Sequence, residues 1–349
     1  MALTLERIVV TGREWHRMDG FADREVFQTR EWLEFLARTQ HAEPVVAAVL
    51  DDGEHVGYFT GLIVRRFGIR ILGSPFPGWT TESMGFNLTE GVDRRAAAAA
   101  LVPFAFRALG CAHLELKDRR LESPDLQGFK TVLTHTFEVD LADEEEAIFA
   151  RMSSACRRAV RRGEKVGVNV EEASGAEFAD EYYEQLVQVF ARQSLAPSYG
   201  VERVRALIDC LEPTGRLLLL RARSREGLPI ATGIFPAFNR TAYFWGGASI
   251  REHQVLRPNE AIFWHAMRYW RARGMTALDL CGGGDYKRRY GPRELRLPLF
   301  RRSRFPGLSV LREVARLAVE QRQALRGRRR RSGGAADAQL VNEPSSLEP

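Results

Sequence analysis

The sequence predicts a mixed α+β protein made of two tandem units, each a mostly antiparallel sheet flanked by helices. The first observation behind this prediction is a weak internal repeat. In both copies two strand-like segments flank a turn, a third strand follows, and a helix ends at a glycine before one more strand. The matching glycines are Gly110 and Gly274. A period of roughly 170 residues is too long for a solenoid and is typical of a duplicated domain.

The elements of the two copies correspond in order. The first pair of strands surrounds a turn at residues 52–53 in one copy and at residues 226–227 in the other. The closing strands correspond at residues 114–116 and 278–280. Helices precede each copy, and those before the second copy are EEEAIFARMSSACRRAVRRGEKVG and AEFADEYYEQLVQVFARQ, which show apolar positions at helical spacing.

These patterns divide the chain into four parts. We place a first unit at residues 1–140, a second unit at residues 141–310 and a basic helix at residues 311–325. The remaining segment, RGRRRRSGGAADAQLVNEPSSLEP, contains small, polar and proline residues without a period, so residues 326–349 are expected to be disordered. Its arginines either contact RNA or acidic lipid, or extend the solvated face of the preceding helix.

The composition is that of a soluble globular protein of 349 residues, with 45% hydrophobic and 28% charged residues. No apolar run reaches the roughly 18 residues of a membrane helix, and no signal sequence is recognisable, so a cytoplasmic bacterial protein is expected. The four cysteines form no CxxC pair and the histidines lack metal-ligand spacing, so no metal site is predicted. Only four of the 51 basic residues are lysines. This bias toward arginine weakens the case for nucleic-acid binding by arginine runs, and no DNA partner is expected.

The order of helix pair, strand meander, helix and strand resembles the GNAT acyltransferase fold. Two copies in one chain resemble the FemAB-like group, including the related BioF2-like acetyltransferase domains. The similarity extends over about residues 140–300 and is looser over residues 1–140. The segments that carry it are SSACRRAVRRGEKVGVNV, FADEYYEQL, YFWGGAS, PNEAIFWHAMRYWRARGMTALDLCG and DYKRRYG.

This resemblance implies an active cleft at or between the two GNAT-like units. Fem-type members move an amino acid from aminoacyl-tRNA to an amino group of a peptidoglycan precursor, and other relatives are acyl- or acetyltransferases. In the family, an aromatic-Lys-x-x-aromatic-Gly signature is associated with stabilisation of charge on the aminoacyl donor. By position, that role falls on Lys287 of DYKRRYG, unless this side chain is a surface lysine.

Aminolysis of an ester or thioester gives such a lysine a chemical task. The reaction passes through a tetrahedral oxyanion, which a fixed cation or N–H donors stabilise, and the attacking amine must lose a proton. The glycine run before the lysine either presents backbone N–H groups or merely ends a strand. The neighbouring aspartates either orient an amine or form structural ion pairs. The catalytic candidates are Lys287, Asp279 and Asp285, and the donor-binding candidates in this stretch are Gly282, Gly283, Gly284 and Arg288.

The segment SIREHQVLRPNEAIF bears on the identity of the donor. Acetyl-CoA-dependent GNAT proteins usually cradle pyrophosphate with a glycine-rich loop at this place, and here the segment has no glycine. The absence of a glycine-rich loop favours aminoacyl-tRNA over acyl-CoA as co-substrate. No permanently bound cofactor is expected. The helix that carries Arg158, Arg161 and Arg162 is the predicted donor-binding track, or else a solvated surface.

The acceptor is expected at SPFPGWTT, where prolines stiffen a loop that carries Phe76, Trp79 and Thr80, unless this loop is a structural plug.

The predicted function is amide formation, with an aminoacyl group passing to an amine of a peptidoglycan precursor or small peptide. The alternative enzyme is an acyl-CoA-dependent N-acetyltransferase of exopolysaccharide or natural-product biosynthesis. The alternative of another class is a non-catalytic module that binds RNA or touches a membrane surface transiently.

Overall fold

The computed structural model describes residues 3–192 and 194–305 of the chain. The basic helix predicted at residues 311–325 and the tail at residues 326–349 lie outside these described residues. The prediction of a mixed α+β fold with a large, mostly antiparallel sheet and flanking helices is confirmed.

The first half contains the predicted helices, strand meander, helix and strand. The predicted turn between β2 and β3 is formed by Asp52 and Gly53, both with positive φ. Helix α3 begins after Asp93, whose carboxylate accepts a hydrogen bond from Arg95 N at 2.8 Å, and it runs into a π-helical turn at Phe104–Ala108. The elements are β1 (Leu3–Arg7), α1 (Gly12–Asp19), α2 (Arg30–Gln40), β2 (Glu43–Asp51), β3 (Glu54–Arg66), β4 (Ile69–Ser74), β5 (Gly85–Leu88), α3 (Arg94–Pro103), β6 (His113–Leu116) and β7 (Lys130–Asp140).

The second half repeats this order after two additional helices. Helix α5 begins after Ser153, whose hydroxyl accepts a hydrogen bond from Cys156 N at 3.2 Å. Helix α8 begins at Pro258, a residue suited to the first helical position. The elements are α4 (Glu145–Arg151), α5 (Ser154–Lys165), β8 (Asn169–Ala173), α6 (Gly175–Ala191), α7 (Val201–Leu211), β9 (Leu217–Arg223), β10 (Pro229–Phe238), β11 (Thr241–Tyr243), β12 (Gly246–Ser249), α8 (Pro258–Ala272), β13 (Ala277–Asp279) and β14 (Arg293–Ser303).

The strands of the described residues form one sheet in which the two halves exchange strands. The main path runs β1-β2-β3-β4-β6-β14-β7-β13-β11-β10-β9-β8, while β5 pairs with β3 and β12 with β10. Strand β14 pairs with β6 of the first half, and β7 pairs with β13 of the second half. The predicted boundary at residue 140 therefore divides the chain but not the sheet.

The two halves also share a hydrophobic core. Trp32 and Phe35 of α2 are fully buried in it, and the ring of Phe27 lies 4.4 Å from that of Tyr243 in the second half. Each fully buried large apolar side chain contributes about 1.5–3 kcal/mol to folding. This packing fixes the halves against each other, so that a cleft between them has walls from both.

Candidate active site

A cleft of about 660 Å³ lies between the two halves of the chain. One wall is the loop that follows β4, and the facing wall is the glycine-rich loop that follows β13. Side chains of β7 and β14 form a third side, where Leu133 and Leu299 add apolar surface. The glycine-rich segment of the predicted site therefore lines a cleft, through Gly282 and Gly283.

The path of this glycine loop depends on residues that tolerate positive φ. Gly282 and Gly284 have φ values of 56° and 143°, a region that glycine enters without a steric penalty. A Cβ at Gly283 would stand 3.0 Å from His135 Nε2, so this glycine lets the loop approach β7 closely. Among the described residues, the N–H groups of Gly283 and Gly284 have no hydrogen-bond acceptor. Of the two residues, Gly283 lines the cleft, so its N–H remains available to a ligand there.

Lys287 lies under the glycine loop and is only 5% exposed. Its ammonium donates hydrogen bonds to the carbonyl oxygen of Cys281 and, at 3.3 Å each, to those of Gly282 and Gly283. Burial lowers the pKa of Lys287, although the neighbouring acidic groups oppose this shift. The predicted lysine is thus a buried cation of the cleft wall, and it also holds the loop in place.

Glu82 faces the glycine loop from the first half and is 9% exposed. Its Oε2 accepts a hydrogen bond from Gly282 N at 3.3 Å, and its Oε1 forms an ion pair of 2.5 Å with Lys117 Nζ. Burial raises the pKa of the Glu82 carboxyl, while the charge of Lys117 works in the opposite direction. A buried carboxylate with a raised pKa in a cleft is a candidate proton acceptor.

Asp279 is fully buried beneath the loop and does not line the cleft. Its Oδ2 accepts a hydrogen bond from Arg119 at 2.5 Å, and its Oδ1 accepts one from Cys281 N at 2.7 Å. Arg119 also pairs with Glu138, and burial disfavours its charge, but the acidic groups around it raise its pKa above the usual value. Asp279 therefore anchors the glycine loop from below, which agrees with the structural ion pair that the sequence left open.

Asp285 and Arg288 lie on the outer side of the 3₁₀ turn Asp285–Tyr290. The Asp285 side chain is 99% exposed and stands 3.6 Å from Arg288, which also pairs with Glu294 at 2.7 Å. Neither residue lines the cleft. The structure does not bring them together with Lys287 and the glycines.

The predicted acceptor loop is divided between two cavities. Phe76 and Thr80 line the cleft, whereas Trp79 lines a neighbouring cavity of about 750 Å³ on the other side of the loop. The rings of Phe76 and Trp79 are 4.7 Å apart, and Arg203 of α7 donates a hydrogen bond of 2.5 Å to the carbonyl of Trp79. The loop is therefore held by the second half at its outer face and presents its inner face to the cleft.

The predicted donor-binding arginines of α5 separate into two sets. Arg158 and Arg162 line a cavity of about 560 Å³ between α5 and the start of α8, together with Arg257 and Arg289. We call this the arginine cavity. Arg161 lies outside its lining, and its guanidinium stands 5.3 Å from the ring of Phe149. A slot of about 530 Å³ along β12 and α8 shares Arg257 and Arg289 with the arginine cavity.

Sequence reasoning missed Glu82, Lys117 and His135 as cleft residues. Glu82 directly follows the acceptor loop SPFPGWTT, and Lys117 is one of only four lysines in the chain. The position of Glu82 and the scarcity of lysine were therefore recognisable in the sequence. The same scarcity of lysine favoured a functional role for Lys287. What the sequence does not contain is the proximity of Glu82 to Gly282, which stand 200 positions apart.

Two further features are absent from the residues that the structure describes. In that part of the chain, no group of three or more metal-ligating side chains is arranged to hold an ion. None of its helices is both long and apolar enough to cross a bilayer.

Residues 150–290 match the sequence model of the family described as "Acetyltransferase (GNAT) domain". Among proteins with curated descriptions, no sequence matches this chain significantly. The matched segment contains the slot, the arginine cavity and the glycine loop, and it is similar to the acetyltransferase domains of the GNAT family.

Three solved structures illustrate the fold. FemX is 14% identical and aligns with a TM-score of 0.69, covering 84% of this chain and 96% of its own. The tandem GNAT protein of the clavulanic acid biosynthesis pathway is 13% identical, with a TM-score of 0.52 and coverages of 87% and 99%. L-PGS from Bacillus licheniformis is 12% identical, with a TM-score of 0.51 and coverages of 82% and 95%. The predicted tandem GNAT-like fold is thereby confirmed.

Proposed function

We propose that this GNAT-type acyltransferase forms an amide in the cleft between its halves, passing an aminoacyl group from aminoacyl-tRNA to an amine of a peptidoglycan precursor or small peptide. The observation that carries the proposal is the convergence of a buried carboxylate and a buried ammonium on one loop. Glu82 accepts the N–H of Gly282 at 3.3 Å, and Lys287 donates to the carbonyl of the same residue at 3.3 Å. A proton acceptor and a cation that contact the same loop are a pair suited to the aminolysis of an ester.

The residues of the cleft have distinct tasks in the proposed step. The neutral amine attacks the carbonyl carbon of the ester, and the carbonyl oxygen becomes an oxyanion that the positive charge of Lys287 and the N–H of Gly283 stabilise. Glu82 takes the proton that the nitrogen loses. The ribose oxygen leaves with a proton as the C–O bond breaks, which returns Glu82 to its carboxylate form. Lys117 holds Glu82 in position through its 2.5 Å ion pair.

The start of helix α8 supports a donor other than acyl-CoA. A pyrophosphate at a helix start is held by backbone N–H groups, and Pro258 at the first position has none. The turn before it uses two of its N–H groups internally, from His253 to Ile250 O at 3.1 Å and from Arg257 to Gln254 O at 3.0 Å. Pro258 therefore reduces the number of backbone donors at this end of the slot, and the side chains of Arg257 and Arg289 add positive charge there. The likeness to FemX concerns the fold and is compatible with this donor.

Acyl-CoA-dependent N-acylation is the second candidate function. The slot between β12 and α8 has room for an extended arm, with a volume of about 530 Å³. The tandem GNAT protein of clavulanic acid biosynthesis, described without AcCoA bound, has the same fold. Because the fold accommodates either donor, the choice between them has to be made by experiment.

The test is a transfer assay with both donors. Labelled aminoacyl-tRNA and labelled acetyl-CoA are each incubated with amine acceptors that include peptidoglycan precursors, dipeptides and amino sugars. We expect amide product from aminoacyl-tRNA, and a decrease of roughly 10²-fold or more in the Glu82→Gln variant, as general-base catalysis contributes about that factor.

The matched control is Glu90→Gln, which removes an exposed carboxylate eight positions later and should leave the rate unchanged. Product from acetyl-CoA alone would replace the proposed donor with acyl-CoA. Absence of product from both donors with every amine would overturn amide formation. Equal rates in Glu82→Gln and the native chain would remove Glu82 from the proposed step.

A further inference from the structure

The arginine cavity carries an excess of positive charge that the proposed chemistry does not use. Four arginines line it, and Glu260 is the single carboxylate of its lining. Glu260 is 5% exposed and accepts a hydrogen bond of 2.8 Å from Arg289, which fixes that guanidinium in the cavity wall. Concave surfaces lined by one sign of charge concentrate the opposite charge. The cavity is therefore suited to an anion.

Three of these arginines are free to bind a ligand. Across residues 3–192 and 194–305, the guanidinium groups of Arg158, Arg162 and Arg257 have neither an ion-pair partner nor a hydrogen-bond acceptor. By contrast, the neighbouring Arg157 donates to the carbonyl of Ala150 at 2.8 Å. Unpaired guanidinium groups that share one cavity can donate in parallel to phosphate oxygens.

The backbone of Arg257 is a second observation that points to this cavity. The residue adopts the left-handed conformation, with φ 65° and ψ 41°, immediately before helix α8. Asn and Gly occupy this conformation at lower cost than Arg does. Strained residues are typical of ligand-binding positions, where the side chain is retained for what it contacts.

The slot joins the arginine cavity to the cleft. Phe244 lines both the cleft and the slot, and Arg257, Glu260 and Arg289 line both the slot and the arginine cavity. An elongated donor would place its reactive carbonyl in the cleft and its uncharged body in the slot. Its next charged group would then reach the arginine cavity.

We infer that the arginine cavity is a subsite for a phosphate group of the acyl donor, held by Arg158, Arg162 and Arg257. This inference rests on the proposed function, because it assumes that the donor occupies the slot. A phosphodiester of an RNA 3′ end and the phosphates of coenzyme A share this chemistry. The cavity adjoins the start of α8, where Arg257 and Glu260 lie, but two of its arginines come from α5, so side chains of a second helix complete it.

The experiment measures binding rather than transfer. The probes are an uncharged RNA minihelix that ends in CCA and coenzyme A, each titrated at several salt concentrations. The test variants are Arg158→Gln/Arg162→Gln and Arg257→Gln. The control is Arg251→Gln, which removes an exposed, unpaired arginine six positions before Arg257 and outside both cavities. All of these side chains are exposed, so the variants should fold.

We expect the double variant to weaken binding of the RNA by about tenfold or more. The slope of log affinity against log salt should fall by about 1.4, the value for two lost phosphate contacts on a single strand. Arg257→Gln should weaken binding as well, and Arg251→Gln should not. Weakened binding of coenzyme A instead of RNA would support the subsite and assign its phosphate to that donor.

Three results would overturn the inference. The first is unchanged binding of both probes in the test variants. The second is a loss of binding affinity in Arg251→Gln equal to that in the test variants. The third is no binding of either probe by the native chain. Failure of the proposed function is distinguishable, because it appears as absent transfer in the native chain and leaves the binding difference between variants intact.

Discussion

Replacement of Lys287 by methionine tests the cation of the cleft most directly. Met keeps much of the length and the apolar stem of Lys but has no ammonium, so the three carbonyl contacts of Lys287 and its charge are lost together. If the ammonium stabilises the oxyanion, kcat should fall by roughly 10²–10³-fold, the effect of removing one such donor from a transition state.

The same substitution has a stability cost that can be measured separately. Two of the three contacts of Lys287 are long, at 3.3 Å, and methionine offers the loop carbonyls no donor in place of the ammonium. We therefore expect a loss of about 1–3 kcal/mol in the free energy of unfolding, the usual range for a group left without its partner. Denaturant titration measures this loss, and initial rates at saturating donor measure kcat.

Lys165→Met is the matched control, because it removes an exposed lysine at the end of α5. It should change neither the unfolding free energy nor kcat by a measurable amount. A Lys287→Met variant that unfolds earlier but keeps the native kcat would refute the oxyanion role. Lys287 would then only hold the glycine loop.

Two further predictions concern the pH profile and the contact between the glycine loop and β7. Burial raises the pKa of Glu82 and lowers that of Lys287. Since the base acts ionised and the ammonium acts protonated, the acidic limb of kcat should lie above 4.5, the ordinary pKa of a glutamate, and the alkaline limb below 10.5, that of a lysine. An acidic limb that follows the pKa of the acceptor amine would contradict the assignment to Glu82. Gly283→Ala places a Cβ 3.0 Å from His135 Nε2, so it should lower kcat, and His135→Ala should restore it in the double variant. Additive effects would exclude this contact as the cause.

The local patterns of the sequence were sufficient to predict the fold. The turn at residues 52–53, the helix ends at Gly110 and Gly274, and the order of strands each depend on neighbours in the chain, where propensity and periodicity act. The exchange of β7 and β14 was not predicted. It depends on pairing between residues that lie from 137 positions (Asp140 with Ala277) to 190 positions (His113 with Ser303) apart, and nothing in the pattern of β7 distinguishes β13 from β6 as its partner.

The same distinction between local patterns and contacts of distant residues applies to the candidate site. Lys287 and the glycine run are contiguous in sequence, so their association was visible from a motif. Asp279 was visible too, but its burial under Arg119 was not, because the arginine comes from the first half. Glu82 stood next to the acceptor loop without any local feature that marks a base. Its raised pKa arises from burial, which only the packed halves create.

The strand exchange explains why the cleft needs both halves. Strands β7 and β14 lie side by side at the centre of the sheet, and each is joined at its other edge to the opposite half. Arg119 connects the same two halves below the cleft, with Asp279 and Glu138 as partners. A separated second unit would keep Lys287 and the glycine loop but would lack Glu82 and Lys117. In the proposed step it would therefore have the cation for the oxyanion and no carboxylate beside it, so we expect a separated second unit to show no transfer.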